Sequence, residues 1–182
     1  IKSAYALGEV GVKATPLLLI ALGLAVCFRS NIWNIGAEGQ FVLGALAAGG
    51  VALLAGKETG RWIVVAVLLA GTLGGMLWAG ITAYLRDRFN AGEILVSLML
   101  VYVAIQLLGY LVYGPWKDPA GYNFPQTRTF DAVTQIPRLM AGSRANVGAL
   151  IALAGAALLW VFLFRPKAGF AQPVGGLAPA AA

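Results

Sequence analysis

Five long apolar runs constrain this chain more than any other feature: residues 14–28, 39–56, 62–85, 94–116 and 145–164 contain no Asp, Glu, Lys or Arg. About 20 apolar residues in a helix cross the hydrocarbon core of a bilayer. Inside lipid every backbone N–H and C=O must be paired within its own segment, and these runs are too long and too evenly apolar for barrel strands. The composition agrees. The chain is 60% hydrophobic and 11% charged, with a mean hydropathy of +0.82, against about 25% charged residues in a soluble domain. A lone soluble globule is excluded. The predicted class is all-α: a polytopic transmembrane helix bundle of about five spans, near residues 14–28, 41–56, 62–85, 94–113 and 147–164, in a single transmembrane domain.

Thirteen Lys and Arg against seven Asp and Glu give a net charge of +6. The basic residues stand singly between apolar runs, so they read as anchors for the headgroups of membrane lipid, and nucleic acid is not expected as a partner. Arg86 with Arg88, and Arg165 with Lys167, are the paired basic clusters that hug span ends. These ends are assigned to the cytoplasm, although a count over whole loops runs 5 against 8 the other way. Histidine is absent and Cys27 is the single cysteine, which excludes a His-based catalytic centre, a Cys/His metal site and an internal disulfide.

Small residues recur every fourth position at Gly71, Gly75 and Ala79, and again at Gly148, Ala152 and Ala156. Such stripes let a second helix approach closely. A different pattern marks residues 29–40, where Asn31, Asn34, Glu38 and Gln40 lie between two apolar runs that are short for spans. Short hydrophobic segments interrupted by polar residues and glycine point to discontinuous helices around a transported ligand, so a broken or re-entrant region is predicted here. A carboxylate this close to two spans tends to face a bundle interior or a watery cavity. On a helix Asn34 and Glu38, four apart, would share a face; the alternative is that Glu38 caps the following helix. Residues 114–146, with four prolines and with Trp116, Tyr122 and Phe124, are predicted to form an ordered loop outside the membrane, with a short surface helix over 131–140.

Asn34-Ile35-Gly36-Ala37-Glu38-Gly39-Gln40, followed by Gly44-Ala45, closely resembles the signature of permease subunits of bacterial ABC importers for nucleosides and simple sugars, in the branched-chain-type inner-membrane permease family. Glu93-Ile94-Leu95-Val96-Ser97-Leu98-Met99-Leu100-Val101-Tyr102 is similar to a second block of the nucleoside branch, with Val101 where that branch usually carries Asn and Ser97 where it carries Thr. Gly114-Pro115-Trp116-Lys117 resembles the start of its external loop, and residues 174–182 resemble the opening of the cytoplasmic loop that couples to the ATPase.

The resemblance implies a multi-pass protein of the bacterial inner membrane whose first span precedes this sequence and whose second half follows it. It implies a path for nucleosides or related small polar solutes, or for simple sugars, lined by Asn31, Asn34, Glu38, Gln40 and Ser97. It further implies coupling to ABC ATPase subunits through Gly175, Gly176, Leu177, Ala178, Pro179 and Ala180 within residues 165–182, a second permease chain, and a periplasmic or lipoprotein substrate-binding protein docking at Trp116, Tyr122 and Phe124. No phosphate-cradling glycine loop occurs in the sequence, so no cofactor is expected on this chain and ATP is used by the partner. Two other classes fit these residues less well. An intramembrane enzyme using Glu38 or Asp87 is disfavoured because the carboxylates are dispersed, and a passive channel would differ in lacking ATP-coupled uptake.

Overall fold

A computed structural model describes residues 4–55, 60–122, 124–138, 146–165, 169, 172–174 and 176. The described residues are helical with irregular connections, and two isolated bridges are their only β pairing. Among the described residues five α-helices are defined: α1 Ala4–Arg29, α2 Ala37–Leu54, α3 Ile63–Phe89, α4 Glu93–Tyr113 and α5 Gly148–Phe164. The first four are long and apolar enough to cross a membrane. At 17 residues, α5 would be about 25 Å long at ~1.5 Å per residue, the lower end of what spans. The chain is a multi-pass membrane protein.

The expectation of two short runs beside the break holds for α2, with 18 residues, but not for α1, which runs for 26. The helix α1 continues N-terminally through Lys13 and keeps Pro16 in its interior. Proline has no N–H to give to the carbonyl four residues back. The adjacent Thr15 hydroxyl donates to the Gly11 carbonyl at 2.8 Å, a neighbour of the Val12 carbonyl that the proline leaves without its usual donor.

The end of α1 is cut by Asn31, whose φ of 54° lies in the left-handed region. Its N–H donates to the Phe28 carbonyl at 3.1 Å, and the Ile32 N–H donates to the Cys27 carbonyl at 2.9 Å. This pair of bonds is a Schellman stop, and asparagine tolerates the required φ better than other non-glycine residues. The Phe28 and Trp33 rings stack across the stop, 5.5 Å apart. The end of α3 also turns on a left-handed asparagine, Asn90 with φ 53°, where the Asn90 and Ala91 N–H groups both donate to the Leu85 carbonyl. There Arg86 and Glu93 pair at 3.2 Å across the turn into α4.

The chain divides into two compact units, Ile1–Asn34 with Ile136–Ala182, and Ile35–Gln135. In the first, α1 packs on α5. Ala152 is only 1% exposed, and the neighbours of Gly148 and Gly155 on α1 are Thr15 and Leu22. The short bridge between Arg138 and Asn146 leads into α5, where the Asn146 Oδ1 accepts the Gly148 N–H at 3.0 Å.

In the second unit α2 lies between α3 and α4. The α2–α3 seam is built from backbone. A Cβ added at Gly44 would stand 2.9 Å from the Gly71 carbonyl oxygen, and one at Gly74 would stand 2.6 Å from the Ala47 Cβ. At Gly75 it would meet the Gln40 carbonyl oxygen at 3.3 Å. The predicted close-approach role of Gly71 and Gly75 therefore applies, and Gly74, outside the fourfold stripe, is the tightest point. Residues 114–135 fold back on the end of α2. The Asp118 N–H donates to the Gln126 carbonyl at 2.9 Å, closing a narrow loop beside the Lys117–Thr127 bridge. Of the helix expected over 131–140, a 3-10 turn at Ala132–Thr134 forms; residues 139 and 140 lie outside the described ones.

Candidate functional site

The signature segment is anchored at α2's first turn. Gly36 is buried and its carbonyl accepts the Gln40 N–H at 3.1 Å, starting the helix. Just before it, the Ile35 N–H donates to the Ser97 Oγ of α4 at 3.3 Å, and that hydroxyl donates to the Ile94 carbonyl at 3.2 Å. A backbone N–H ahead of a helix has no intrahelical acceptor. Ser97 supplies one, and at 1% exposure it is committed to doing so. One turn on, Gly39 rests on α4: a Cβ there would lie 3.1 Å from the Val101 Cα, 3.3 Å from the Leu100 oxygen and 3.2 Å from the Trp78 Nε1 of α3. Gly39 is needed because three groups converge where its side chain would be.

The predicted path residues separate accordingly. Ser97 is a buried positioning residue and does not face open space in this chain. Val101, where the nucleoside branch usually carries Asn, is buried beneath Gly39. Glu38 is exposed and Gln40 half-buried at the start of α2. Asn31 and Asn34 belong to the first unit, and Asn31 acts through its backbone as the stop of α1. Residues 32–36 are not helical, so Asn34 and Glu38 do not share a helical face. The left-handed role of Asn31 was open to sequence reasoning, since Asn directly after an apolar helical run is a stop signal.

Of the three aromatic residues expected to dock a binding protein, Trp116 is half-buried with its indole against Gly49 and Gly50, where Phe130 also packs on Gly49. It is occupied by its own chain. Tyr122, with φ 47°, is 94% exposed and Phe124 is 68% exposed, so both stand free of the fold. Trp116, Lys117 and Arg128 line a groove of about 450 Å³ together with Leu53, Leu54 and Pro115. Of the predicted coupling residues, Gly176 is helical and approaches the backbone of Ser30 too closely to admit a Cβ. Gly175, Leu177, Ala178, Pro179 and Ala180 lie outside the described residues. The Arg29 guanidinium donates to the Gly169 carbonyl at 3.3 Å, which gives Arg29 a contact with the tail in addition to the interfacial role expected of it.

Comparison with known proteins bears on this geometry. The chain matches the family described as branched-chain amino acid transport system / permease component over residues 7–182. It is 35% identical over 178 residues to a glucose ABC transporter permease protein of Haloferax volcanii, covering 92% of this chain and 46% of that protein. A guanosine ABC transporter permease protein of Bacillus subtilis is 28% identical over 167 residues, covering 91% and 48%. A nucleoside ABC transporter permease protein of Lactococcus lactis is 24% identical over 184 residues, covering 97% and 50%. The chain spans about half the length of these relatives. No solved structure matches it.

Proposed function

The chain belongs to the branched-chain amino acid transport system / permease component family, and on that premise we propose that it forms the membrane path of an ATP-driven ABC importer for nucleosides or sugars. The observation that carries the reading is the match to the glucose, guanosine and nucleoside permeases along nearly this whole chain. The physical design is compatible with it. A permease makes and breaks no covalent bond; it needs helices that pack firmly enough to hold a path and a polar break where solute crosses the apolar layer.

In this reading Glu38 and Gln40, at the mouth of α2, and Asn34, in the segment before it, contact solute, while Ser97 and Gly39 hold that mouth in place. Tyr122 and Phe124 offer the binding protein two exposed aromatic anchors, the residue type that carries most interface energy. The tail from Arg165 engages the ATPase in the cytoplasm of a bacterium, with ATP bound by that subunit and a second permease chain completing the path. The simple-sugar alternative stays open, because the relatives include both solute types.

The test is transport. The full-length permease, assembled with its ATPase, second permease and binding protein in proteoliposomes, should take up labelled guanosine or glucose only with ATP. Glu38→Gln should reduce that uptake at least severalfold with assembly intact. Uptake equal with and without ATP would make the protein a passive channel and end the proposal.

A further inference from the structure

The face that α4 turns away from its own bundle does not have the chemistry of a lipid surface. Ser97, Val101 and Ala104 are the buried residues of α4, spaced four and three apart and so on one side of the helix. At ~100° per residue, the opposite side carries Leu95, Met99, Tyr102, Gln106, Tyr110 and Tyr113, and all six are exposed. Tyr102 is 62% and Tyr110 68% exposed.

Interfacial tyrosine accounts for Tyr113, the last residue of the helix, and for Tyr110 one turn before it, but not for Tyr102 or Gln106. Tyr102 is the tenth of 21 residues and Gln106 the fourteenth, which places them about 14 Å and 20 Å along a helix of roughly 31 Å. A carboxamide and a phenol hydroxyl at that depth in hydrocarbon would lose hydrogen bonds that water had supplied. On α3 the exposed residues over the same depth are Leu73, Met76, Leu77, Gly80 and Thr72, and the Thr72 hydroxyl donates to the Leu68 carbonyl of its own helix at 2.9 Å. The outward face of α3 thus leaves its one polar side chain satisfied within the helix, whereas a phenol and a carboxamide on α4 reach outward.

We infer that the Tyr102–Gln106–Tyr110 face of α4 is a wall of the translocation path and contacts the solute as it passes. The inference rests on the permease reading and narrows its solute class. Phenol rings offer flat apolar faces for a ring, while their hydroxyls and the Gln106 amide offer both donors and acceptors for hydroxyl groups. No charged side chain lies on the stripe, so it suits a neutral, ring-bearing, hydroxyl-rich solute such as a nucleoside, and offers no counter-charge to a zwitterionic amino acid.

The experiment uses the full-length permease in its assembled importer, with Cys27→Ser as background. Gln106→Cys should react with a small charged methanethiosulfonate and be protected by saturating guanosine, whereas Leu77→Cys on α3 should not react. Gln106→Leu should raise the KM for guanosine roughly tenfold, the effect of losing one buried polar partner, with kcat within about twofold and the amount of assembled complex unchanged. Tyr102→Phe, which removes only the hydroxyl, should have a smaller effect. An unreactive Gln106→Cys would overturn the inference, since the face would then meet lipid or another helix. Reactivity without protection by guanosine or glucose, or an unchanged KM in both variants, would overturn it as well. A wild-type importer that transports neither probe would defeat the permease reading instead; a water-reactive Gln106→Cys would in that case still support a path along α4.

Discussion

The seam between α2 and α3 and the seam between α1 and α5 carry similar small-residue stripes but are different kinds of contact. In the first, backbone meets backbone: added Cβ atoms at Gly44 and Gly74 would fall 2.9 Å from a carbonyl oxygen and 2.6 Å from the Ala47 Cβ. In the second, an added Cβ at Gly155 would meet only the end of Leu22 at 3.7 Å, ordinary van der Waals contact. Small residues at fourfold spacing permit close approach but do not produce it. Association in lipid is driven by packing rather than by exclusion of water, so the facing helix must be small at the same level. On α2 it is, with Gly44, Ala47 and Ala48 meeting Gly71 and Gly74; on α1 the residues opposite are Thr15 and Leu22.

Substitution can break or sharpen this contrast. The largest effect is expected from Gly74→Leu, which cannot be accommodated without separating α2 from α3. Overpacking of this kind costs about 1–3 kcal/mol and sometimes more, and the permease should be recovered from detergent by size-exclusion chromatography in markedly reduced amount. Gly44→Ala should follow, with a midpoint of thermal unfolding several degrees lower, since its single methyl meets a backbone oxygen that cannot turn aside. Ser97→Ala comes third. It leaves the Ile35 N–H without its acceptor and should lose about 1–2 kcal/mol, read as faster hydrogen exchange at the start of α2. Smallest is Gly155→Ala, within about 0.5 kcal/mol of wild type or slightly stabilising, because a methyl fits and alanine is the better helix former. If Gly155→Ala proved as damaging as Gly44→Ala, the two seams would be equivalent and the comparison would fail.

The legibility of the molecule in its sequence follows the same division. The all-α class and the four long apolar helices were readable because hydrophobic length is a local property, and the break near residues 29–40 because polar residues interrupt it. Which glycine bears the closest contact was not, since that depends on the partner helix: Gly74 lies outside the stripe that drew attention to Gly71 and Gly75. Ser97 stands out in the sequence by its hydroxyl, but that its partner is the Ile35 N–H ahead of α2, and that Val101 lies under Gly39, depends on how α2 and α4 meet. Trp116 was read as an exposed anchor, but the paired Gly49 and Gly50 provide a flat bed that its ring covers. The stripe on α4 escaped notice because its residues blend into a strongly apolar run; only the burial of the opposite face separates them.

Pro16 has a mechanical consequence. Bending a helix ordinarily stretches the backbone hydrogen bonds on its convex side, and this resists the bend. In α1 one such bond is absent by covalent structure, and Gly11, a turn and a half earlier, has open space where a side chain would be. The helix can flex there at less expense than elsewhere along its length. The interlocked pair α2 and α3 has no comparable soft point. The proline thus makes α1, the helix that leads into the signature segment, compliant in its N-terminal half.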